Sequence, residues 1–271
     1  NSQDFDASYF TVSSVDVSDG SEDASMEWYV KTAGSDQLKI SMKPTETIFN
    51  EASADLDFRV ESNGNANMLF VDGGNDHVNI GTATDLGGVL NVSGTAVIQT
   101  ADNTDTLTLK STDADENIGP VLRAKRVSSS AADNDELFNL ILTASNDAQE
   151  DTDYAKIKYL IKDASNGTED AQIDMQVMQA GSLRSRMKSD NAETVFNEDS
   201  VDIDFRVESN DDANMLFVDG GNNAVGIATN SPVLASGRGL VVHGGSSIAR
   251  VELRNDTSGA AATDGMFLTY S

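Results

Sequence analysis

The chain has 271 residues with 18 basic and 45 acidic side chains, which give a formal net charge of −27. This charge excludes the class of proteins that bind nucleic acid through a broad basic surface, and it opposes binding to an anionic membrane. The absence of cysteine excludes disulfides and thiolate chemistry. Two histidines, His77 and His243, are too few for a multi-histidine metal centre.

Core-forming residues are scarce. Leu, Ile, Val and Phe make up 62 of 271 residues, only slightly above the level of roughly 20% below which a highly charged chain is disordered. A compact globule of this length buries roughly three quarters of its unfolded surface. We therefore expect either partial disorder or an elongated chain that buries its apolar stripes against other copies of itself.

The sequence predicts neither a membrane span nor a signal peptide. A run of 18 apolar residues is missing, as is a basic leader followed by an apolar stretch. The chain begins with Asn1 and ends at Tyr270-Ser271 within a strand-like run. We expect it to be a window of a longer polypeptide.

Taken in chain order, the first predicted segments are half of a β-bead, over residues 1–46, and a connector or shaft segment over 47–117. In residues 55–61 of the connector, apolar side chains at every second position alternate with charged ones. This period of two predicts a half-buried strand. Leu107 and Leu109 alternate with threonine and predict a further strand.

A complete second β-bead is predicted over residues 118–190. Ile157, Tyr159 and Ile161 alternate with lysines, and a similar alternation continues through residues 173–177. The stretch 134–142 reads equally well as helix or strand. Turns fall between these runs, and they are rich in Asn-Gly and Asp-Gly, which tolerate the positive φ angles of tight hairpins.

A long internal repeat organises the chain. Residues 49–80 and 196–227 align without a gap at an offset of 147, with 24 of 32 positions identical. Residues 191–271 are therefore predicted to be a second connector that repeats 47–117. Sandwich beads on a string and intertwined trimers with a shared core are the two arrangements that suit such a chain. The prediction is an all-β, elongated fibre of tandem repeats with short antiparallel strands, assembled as an intertwined or side-by-side homotrimer.

Metal-binding motifs are incomplete. The segment 73–78 begins with the Gly-Gly of calcium-binding β-rolls but lacks their third glycine and their nine-residue spacing. In residues 16–20 and 163–167 the glycine falls one place too early for an EF-hand loop, and no helices are predicted beside it. We predict ordinary turns, no metal site and no cofactor, and leave adventitious binding of divalent cations to the acidic surface open.

Catalytic motifs are missing too. The sequence has no Gly-x-Ser-x-Gly, His-Glu-x-x-His or phosphate-binding loop. The carboxylates that could form a glycosidase pair alternate with apolar residues, as on a solvated strand face, and they are Asp55, Asp57, Asp202 and Asp204. His77 and His243 align with Ala224 and Ser93 of the other copy, so neither is predicted to be catalytic. We predict no enzyme and assign no catalytic residue.

Basic residues are expected to serve structural roles. Arg59 and Arg206 are equivalent in the repeat, and we expect each to pair with flanking acids across neighbouring strands. Two basic clusters either set the register between chains or belong to a mixed surface, and they comprise Arg123, Lys125 and Arg126, and Arg184, Arg186 and Lys188.

Residues 225–232, VGIATNSP, followed by LVVHG at 240–244, resemble the V-G-I-G-T-x-x-P … L-x-V-x-G segment of bacteriophage tail-fibre proteins. Residues 78–82 and 90–94 are a looser copy without the proline. The stretch 119–188 is similar to a bead of the same fibres, and 5–43 to its second half. The motifs of that bead are ADND at 132–135, YAKI at 154–157, DASNGTED at 163–170 and AGS at 180–182.

This resemblance implies a structural shaft of a virion-attached fibre, usually a parallel homotrimer, that reaches the host surface. Its implied partners are other copies of the chain, further virion proteins and a host-surface glycan or protein at a tip outside this sequence. Neither nucleic acid nor membrane insertion is implied. The alternatives are a bacterial extracellular adhesin or filament subunit and a tailspike-like glycan hydrolase.

Overall fold

The computed structural model describes residues 6–245, 248–249 and 251, and the regular structure in this part of the chain is entirely β-strand. Seventeen strands form four sheets. The chain divides into two compact units, 1–119 and 120–271, with two sheets in each. The all-β prediction is confirmed. The end of the predicted second connector, including Tyr270-Ser271, lies outside the described residues.

The first bead sheet opens the first unit. Its strands are β1 (Ser8–Asp16), β2 (Asp23–Thr32), β3 (Ser35–Lys43) and β4 (Glu46–Phe49). They pair antiparallel in chain order, β1-β2-β3-β4. The sheet is thus a simple meander, the arrangement that short polar turns favour.

The first connector sheet follows in the same unit. Its strands are β5 (Phe58–Val60), β6 (Leu69–Asp72), β7 (His77–Ile80) and β8 (Leu90–Val92). The β5-β6 and β6-β7 pairs are antiparallel, but β7 and β8 are parallel. The sequence predicted antiparallel strands only. The difference arises because the loop 81–89 carries the chain back to the start of β7 before β8 begins.

The second bead sheet has one strand more than the first. Its strands are β9 (Glu136–Ser145), β10 (Asp151–Asp163), β11 (Asp170–Gln179), β12 (Ser182–Ser189) and β13 (Thr194–Phe196). All neighbours pair antiparallel in the order β13-β12-β11-β10-β9. The ambiguous stretch 134–142 is therefore strand, since β9 covers most of it.

The second connector sheet repeats the topology of the first. Its strands are β14 (Phe205–Val207), β15 (Leu216–Asp219), β16 (Ala224–Ile227) and β17 (Gly239–Val242). The last pair, β16-β17, is again parallel. The longer loop 228–238 contains the Asn230-Ser231-Pro232 stretch that distinguishes this copy.

The repeat extends to strand register. Phe10 faces Trp28 across β1 and β2, and Ile157 faces Met175 across β10 and β11, so both partners move by the same offset of 147. Each pair of strands also has a register shift at an equivalent point. The bead strands thus pair identically although few of their residues are the same, as expected where alternation fixes which face of a strand is apolar.

The stretch 93–135 forms no strand. The predicted strand at Leu107 and Leu109 is therefore wrong. Two apolar side chains bury too little surface to hold an extended segment without a paired neighbour.

Few apolar side chains are buried, as the small share of core-forming residues predicts. Among the described residues the buried apolar side chains are Phe70, Leu160, Phe217 and Ala224. Ring pairs add some packing where a bead sheet meets its own connector, with centroids 4.8 Å apart for Phe49–Phe58 and for Phe196–Phe205.

Candidate functional site: the apolar bead faces

Alternation along the strands gathers apolar side chains on one face of the first bead sheet. Strand register places Phe10 of β1, Trp28 of β2, Ile40 of β3 and Phe49 of β4 in one row. A second row joins Val12, Met26 and Met42 in the same way. Residues that face each other across paired strands point to the same side of a sheet. We call these two rows the first bead face.

The first bead face is uncovered. Phe10 is 68% exposed and Trp28 51% exposed, although both are large apolar side chains within strands. Phe10, Met26, Trp28, Ile40 and Met42 together line an open depression of about 300 Å³. Exposed apolar patches that include aromatic side chains are characteristic of protein interaction sites.

The second bead sheet presents the equivalent row. Leu140, Ile157, Met175, Met187 and Phe196 lie side by side across five strands, and we call this row the second bead face. Its last four members lie 147 residues after the row from Phe10 to Phe49. Leu140 belongs to β9, which adds a fifth position to the row.

The opposite faces of the bead sheets are polar. On the second, the Asp174 carboxylate accepts hydrogen bonds from Ser185 Oγ and Gln176 Nε2, both at 2.6 Å. The Ser185 N–H donates to Asp199 at 2.9 Å. On the first, the Tyr9 hydroxyl donates to the Asp36 carboxylate at 3.3 Å and the Tyr29 hydroxyl donates to the Glu27 carboxylate at 2.8 Å. Polar pairing thus occupies one side of each sheet and leaves the apolar side available.

An ion pair links β9, the extra strand of the second bead sheet, to β10. The Lys158 ammonium lies 2.7 Å from the Glu136 carboxylate, which also accepts a hydrogen bond from Asn139 at 2.7 Å. The hydrogen bond from Lys158, followed by that from Asn139, lowers the pKa of Glu136 from 4.5 to about 2. Both hydrogen bonds thus favour the ionised form of Glu136.

The four aspartates from which a glycosidase pair could have come contact the glycines of two turns. The Asp57 carboxylate accepts a hydrogen bond from the Gly73 N–H at 3.2 Å, and Asp204 accepts the equivalent bond from Gly220 at 3.1 Å. Asp55 and Asp202 lie against the next glycine of each turn. All four are exposed, in keeping with a solvated face. The sequence did not reveal this turn-supporting role, because the hydrogen bonds join residues 16 positions apart.

The histidines occupy separate places in the two copies. His77 begins β7, with its Nδ1 3.0 Å from the Asp85 carboxylate, although the two groups are poorly aligned for a hydrogen bond. His243 follows β17, and its Nδ1 accepts a hydrogen bond from the Gly245 N–H at 3.2 Å. Each histidine contacts only its local surroundings, with no nucleophile or second histidine beside it in these contacts.

Arg59 and Arg206 form ion pairs along the chain. Arg59 Nη2 lies 2.5 Å from Glu61, and Arg206 pairs with Glu208 in the same way. The predicted partner, a flanking acid, is confirmed, but it lies on the same segment of chain and not across a neighbouring strand. A residue and its second neighbour lie on the same face of an extended chain, so the acid two positions later is the closer partner.

The basic clusters are partly engaged within the chain. Arg126 contacts Asp135 at 3.0 Å and donates to the Glu136 carbonyl at 2.8 Å. Lys188 contacts Glu198 at 2.5 Å. A role of these clusters in register between chains remains a prediction.

The segments with partial metal motifs form turns. Residues 73–78 span the turn between β6 and β7, where the Asp72 carboxylate accepts hydrogen bonds from Gly74 and Asn75. The hydrogen bonds from Asn75 and Gly74 lower the pKa of Asp72. Residues 16–20 and 163–167 form the turns after β1 and β10. Within the described residues, no group of three or more His, Cys, Asp or Glu side chains is placed to hold a metal ion.

Comparisons with family models, with curated proteins and with solved structures find no match to the chain. In the part of the chain that the structure describes, no helix is long and apolar enough to cross a bilayer. The uncovered bead faces are therefore the candidate functional surface of the chain.

Proposed function

We propose that the chain is a shaft segment of a virion-attached fibre, of the phage tail-fibre kind, used in host attachment. Copies assemble as an elongated homotrimer by burying the first and second bead faces against one another. The role is structural and extracellular, with no reaction catalysed. The uncovered apolar bead faces, presented twice at an offset of 147, carry the proposal.

A second copy of the chain is the partner that fits this pattern best. Both bead faces expose apolar side chains to solvent. A second chain with the same internal repeat supplies two matching faces against which they can be buried. The rows through Phe10 and Val12 contain no charged side chain. Chains that each carry a net charge of −27 can therefore meet there without bringing two acidic groups directly together.

The resemblance to tail-fibre proteins supports the number of copies and the biological setting. Those fibres are commonly parallel homotrimers, and three sheets that share a centre bury apolar side chains without requiring more of them per chain. Burial of the bead faces would also compensate for the small number of apolar side chains that are buried within one chain. The fibre geometry and the attachment role rest on this argument.

The assembly is tested by analytical ultracentrifugation of the full chain. We expect a mass three times the 28.7 kDa of one chain. The double variant Trp28→Lys with Met175→Lys places one ammonium on each bead face and should sediment as a monomer. The matched control replaces two exposed apolar residues away from the faces, Val17 and Val97, which are 80% and 84% exposed, by lysine and should leave the trimer intact.

A monomeric wild-type chain at all concentrations would contradict the assembly, as would a trimer that survives both face substitutions. The virion role has its own test, in which antibodies raised against the chain label particles for electron microscopy. Labelled projections on the particle support the proposal, whereas label on the host-cell envelope alone would favour an adhesin.

A further inference from the structure

The two copies of the repeat contain one turn with the same geometry and different chemistry. In the first copy, the Ser62 N–H donates to the Asn65 carbonyl at 2.8 Å, and the Asn65 N–H donates to Ser62 Oγ at 3.1 Å. In the second, Ser209 and Asp212 make the same two bonds at 2.8 and 3.1 Å.

The residues inside this turn differ at one informative position. Asn63 and Asn210 occupy its second place and are both exposed. Asn63 is followed by Gly64, whereas Asn210 is followed by Asp211. The chain therefore holds an asparagine in the same hydrogen-bonded turn twice, once before glycine and once before a charged residue with a full side chain.

We propose that Asn63 is a site of spontaneous deamidation, and that Asn210 is protected from the same reaction by Asp211. In this reaction the Gly64 amide nitrogen loses its proton and attacks Cγ of Asn63, so that a C–N bond forms. The bond from Cγ to the side-chain nitrogen breaks and ammonia leaves. Water then opens the resulting five-membered imide at either carbonyl, which gives aspartate or isoaspartate at position 63.

The surroundings of Gly64 favour the attack. Apart from the adjoining residues, no atom lies within 4 Å of the position that a Cβ of Gly64 would take, so the rest of the protein does not obstruct the approach of the backbone nitrogen to the side chain. Within the described residues, the Gly64 N–H donates to no backbone carbonyl. At Asn210 the Asp211 side chain crowds the attacking nitrogen. The Asp211 carboxylate also accepts a hydrogen bond from Asn210 Nδ2 at 2.9 Å and disfavours an anionic nitrogen beside it.

The other Asn-Gly pair in the described chain is restrained. The Gly167 N–H after Asn166 donates to the Glu169 carboxylate at 3.0 Å. The equivalent turn of the first copy makes the same bond, from Gly20 to Glu22 at 3.1 Å, and has Asp19 in place of the asparagine. An N–H held by a carboxylate is both kept in place and harder to deprotonate. Asn166 should therefore react more slowly than Asn63.

The modification changes a connector sheet. Each event adds one negative charge, and the isoaspartate product also lengthens the backbone within the turn between β5 and β6. The neighbouring Asn65 has its Nδ2 3.4 Å from the Gly81 carbonyl, so the turn contacts the end of β7. Deamidation at Asn63 can thus change the charge and the backbone of the first connector with time, while the second connector stays unmodified at the equivalent position.

The test is peptide mapping by mass spectrometry after the full chain has aged in mildly alkaline buffer. We expect Asn63 to convert faster than Asn210 by about tenfold or more, equivalent to about 1.4 kcal/mol in barrier. Gly64→Asp should slow Asn63, and Asp211→Gly should make Asn210 reactive. These two substitutions exchange, between the two turns, the residue that follows the asparagine, and Glu169→Gln should accelerate deamidation of Asn166.

Equal conversion of Asn63 and Asn210 would overturn the proposal, and so would an Asp211→Gly variant in which Asn210 stays intact. Circular dichroism of each variant confirms that the sheets persist. The measurement is independent of the number of chains in the assembly, so its failure and a failure of the proposed trimer are distinguishable.

Discussion

Gly73 and Gly220 show how single residues set the shape of the connector sheets. A Cβ on Gly73 would lie 2.5 Å from the Leu56 carbonyl oxygen, and on Gly220 it would lie 2.4 Å from that of Ile203. Both contacts involve backbone, which cannot move aside as a flexible side chain can. These glycines are thus required by the close approach of two chain segments.

Gly73→Ala should destabilise the first connector sheet by about 1–3 kcal/mol, because the added methyl overlaps backbone. Thermal unfolding and faster amide exchange in β6 and β7 measure the effect. Gly64→Ala is the matched control, since the space around Gly64 is open, and it should change stability by less than about 0.5 kcal/mol. Equal stability of the two variants would contradict the steric reason.

At the scale of elements, the parallel strand pairs distinguish the connectors from the beads. In the first connector, β7 and β8 meet through Asn79 and Asn91, which are both buried, and Asn91 Nδ2 donates to Asn79 Oδ1 at 2.7 Å. Asn91 also accepts a hydrogen bond from the Gly88 N–H. In the second connector, Gly226 and Val241 occupy the equivalent places. The parallel pairing of strands is thus supported by a buried polar pair in the first connector, and it forms without such a pair in the second.

Asn91→Ala should cost the first connector about 1–3 kcal/mol, because it leaves the buried Asn79 carbonyl and the Gly88 N–H without their partner. Amide exchange of β7 and β8 should speed up while β16 and β17 stay unchanged, which makes the second copy an internal reference. Asn63→Ala in an exposed turn is the matched control. A loss shared by both connectors, or no loss at all, would refute the role of the pair.

At the scale of the whole molecule, the proposed assembly sets electrostatic repulsion between acidic surfaces against contact between apolar faces. Each chain carries a net charge of −27, so a trimer concentrates three times that charge. Salt weakens this repulsion over distances beyond about 10 Å at 0.1 M. Contact between uncharged apolar faces is much less sensitive to moderate salt.

The proposed trimer should therefore weaken when salt is removed and recover when salt is restored. Sedimentation at fixed protein concentration over a range of sodium chloride concentrations measures this. The control is the Trp28→Lys and Met175→Lys double variant, which should stay monomeric throughout. An assembly that dissociates as salt is added would point to opposite-charge contacts and against the bead faces.

The sequence by itself determined the all-β class, most strands of the two beads, the hairpin turns and the repeat. These properties depend on neighbouring residues, because alternation fixes the two faces of a strand and Asn-Gly or Asp-Gly fixes a turn. The same local reasoning gave a wrong strand at Leu107 and Leu109, since a strand also needs a partner that no short pattern specifies.

Only the tertiary structure decided which surfaces are covered. It placed Trp28 and Phe10 in one uncovered row, made β7 and β8 parallel, and brought Asp57 to the turn at Gly73. Each of these relations joins residues well separated along the chain. The long-range pairing of strands controls them, and in this thin fold that pairing leaves the apolar faces open.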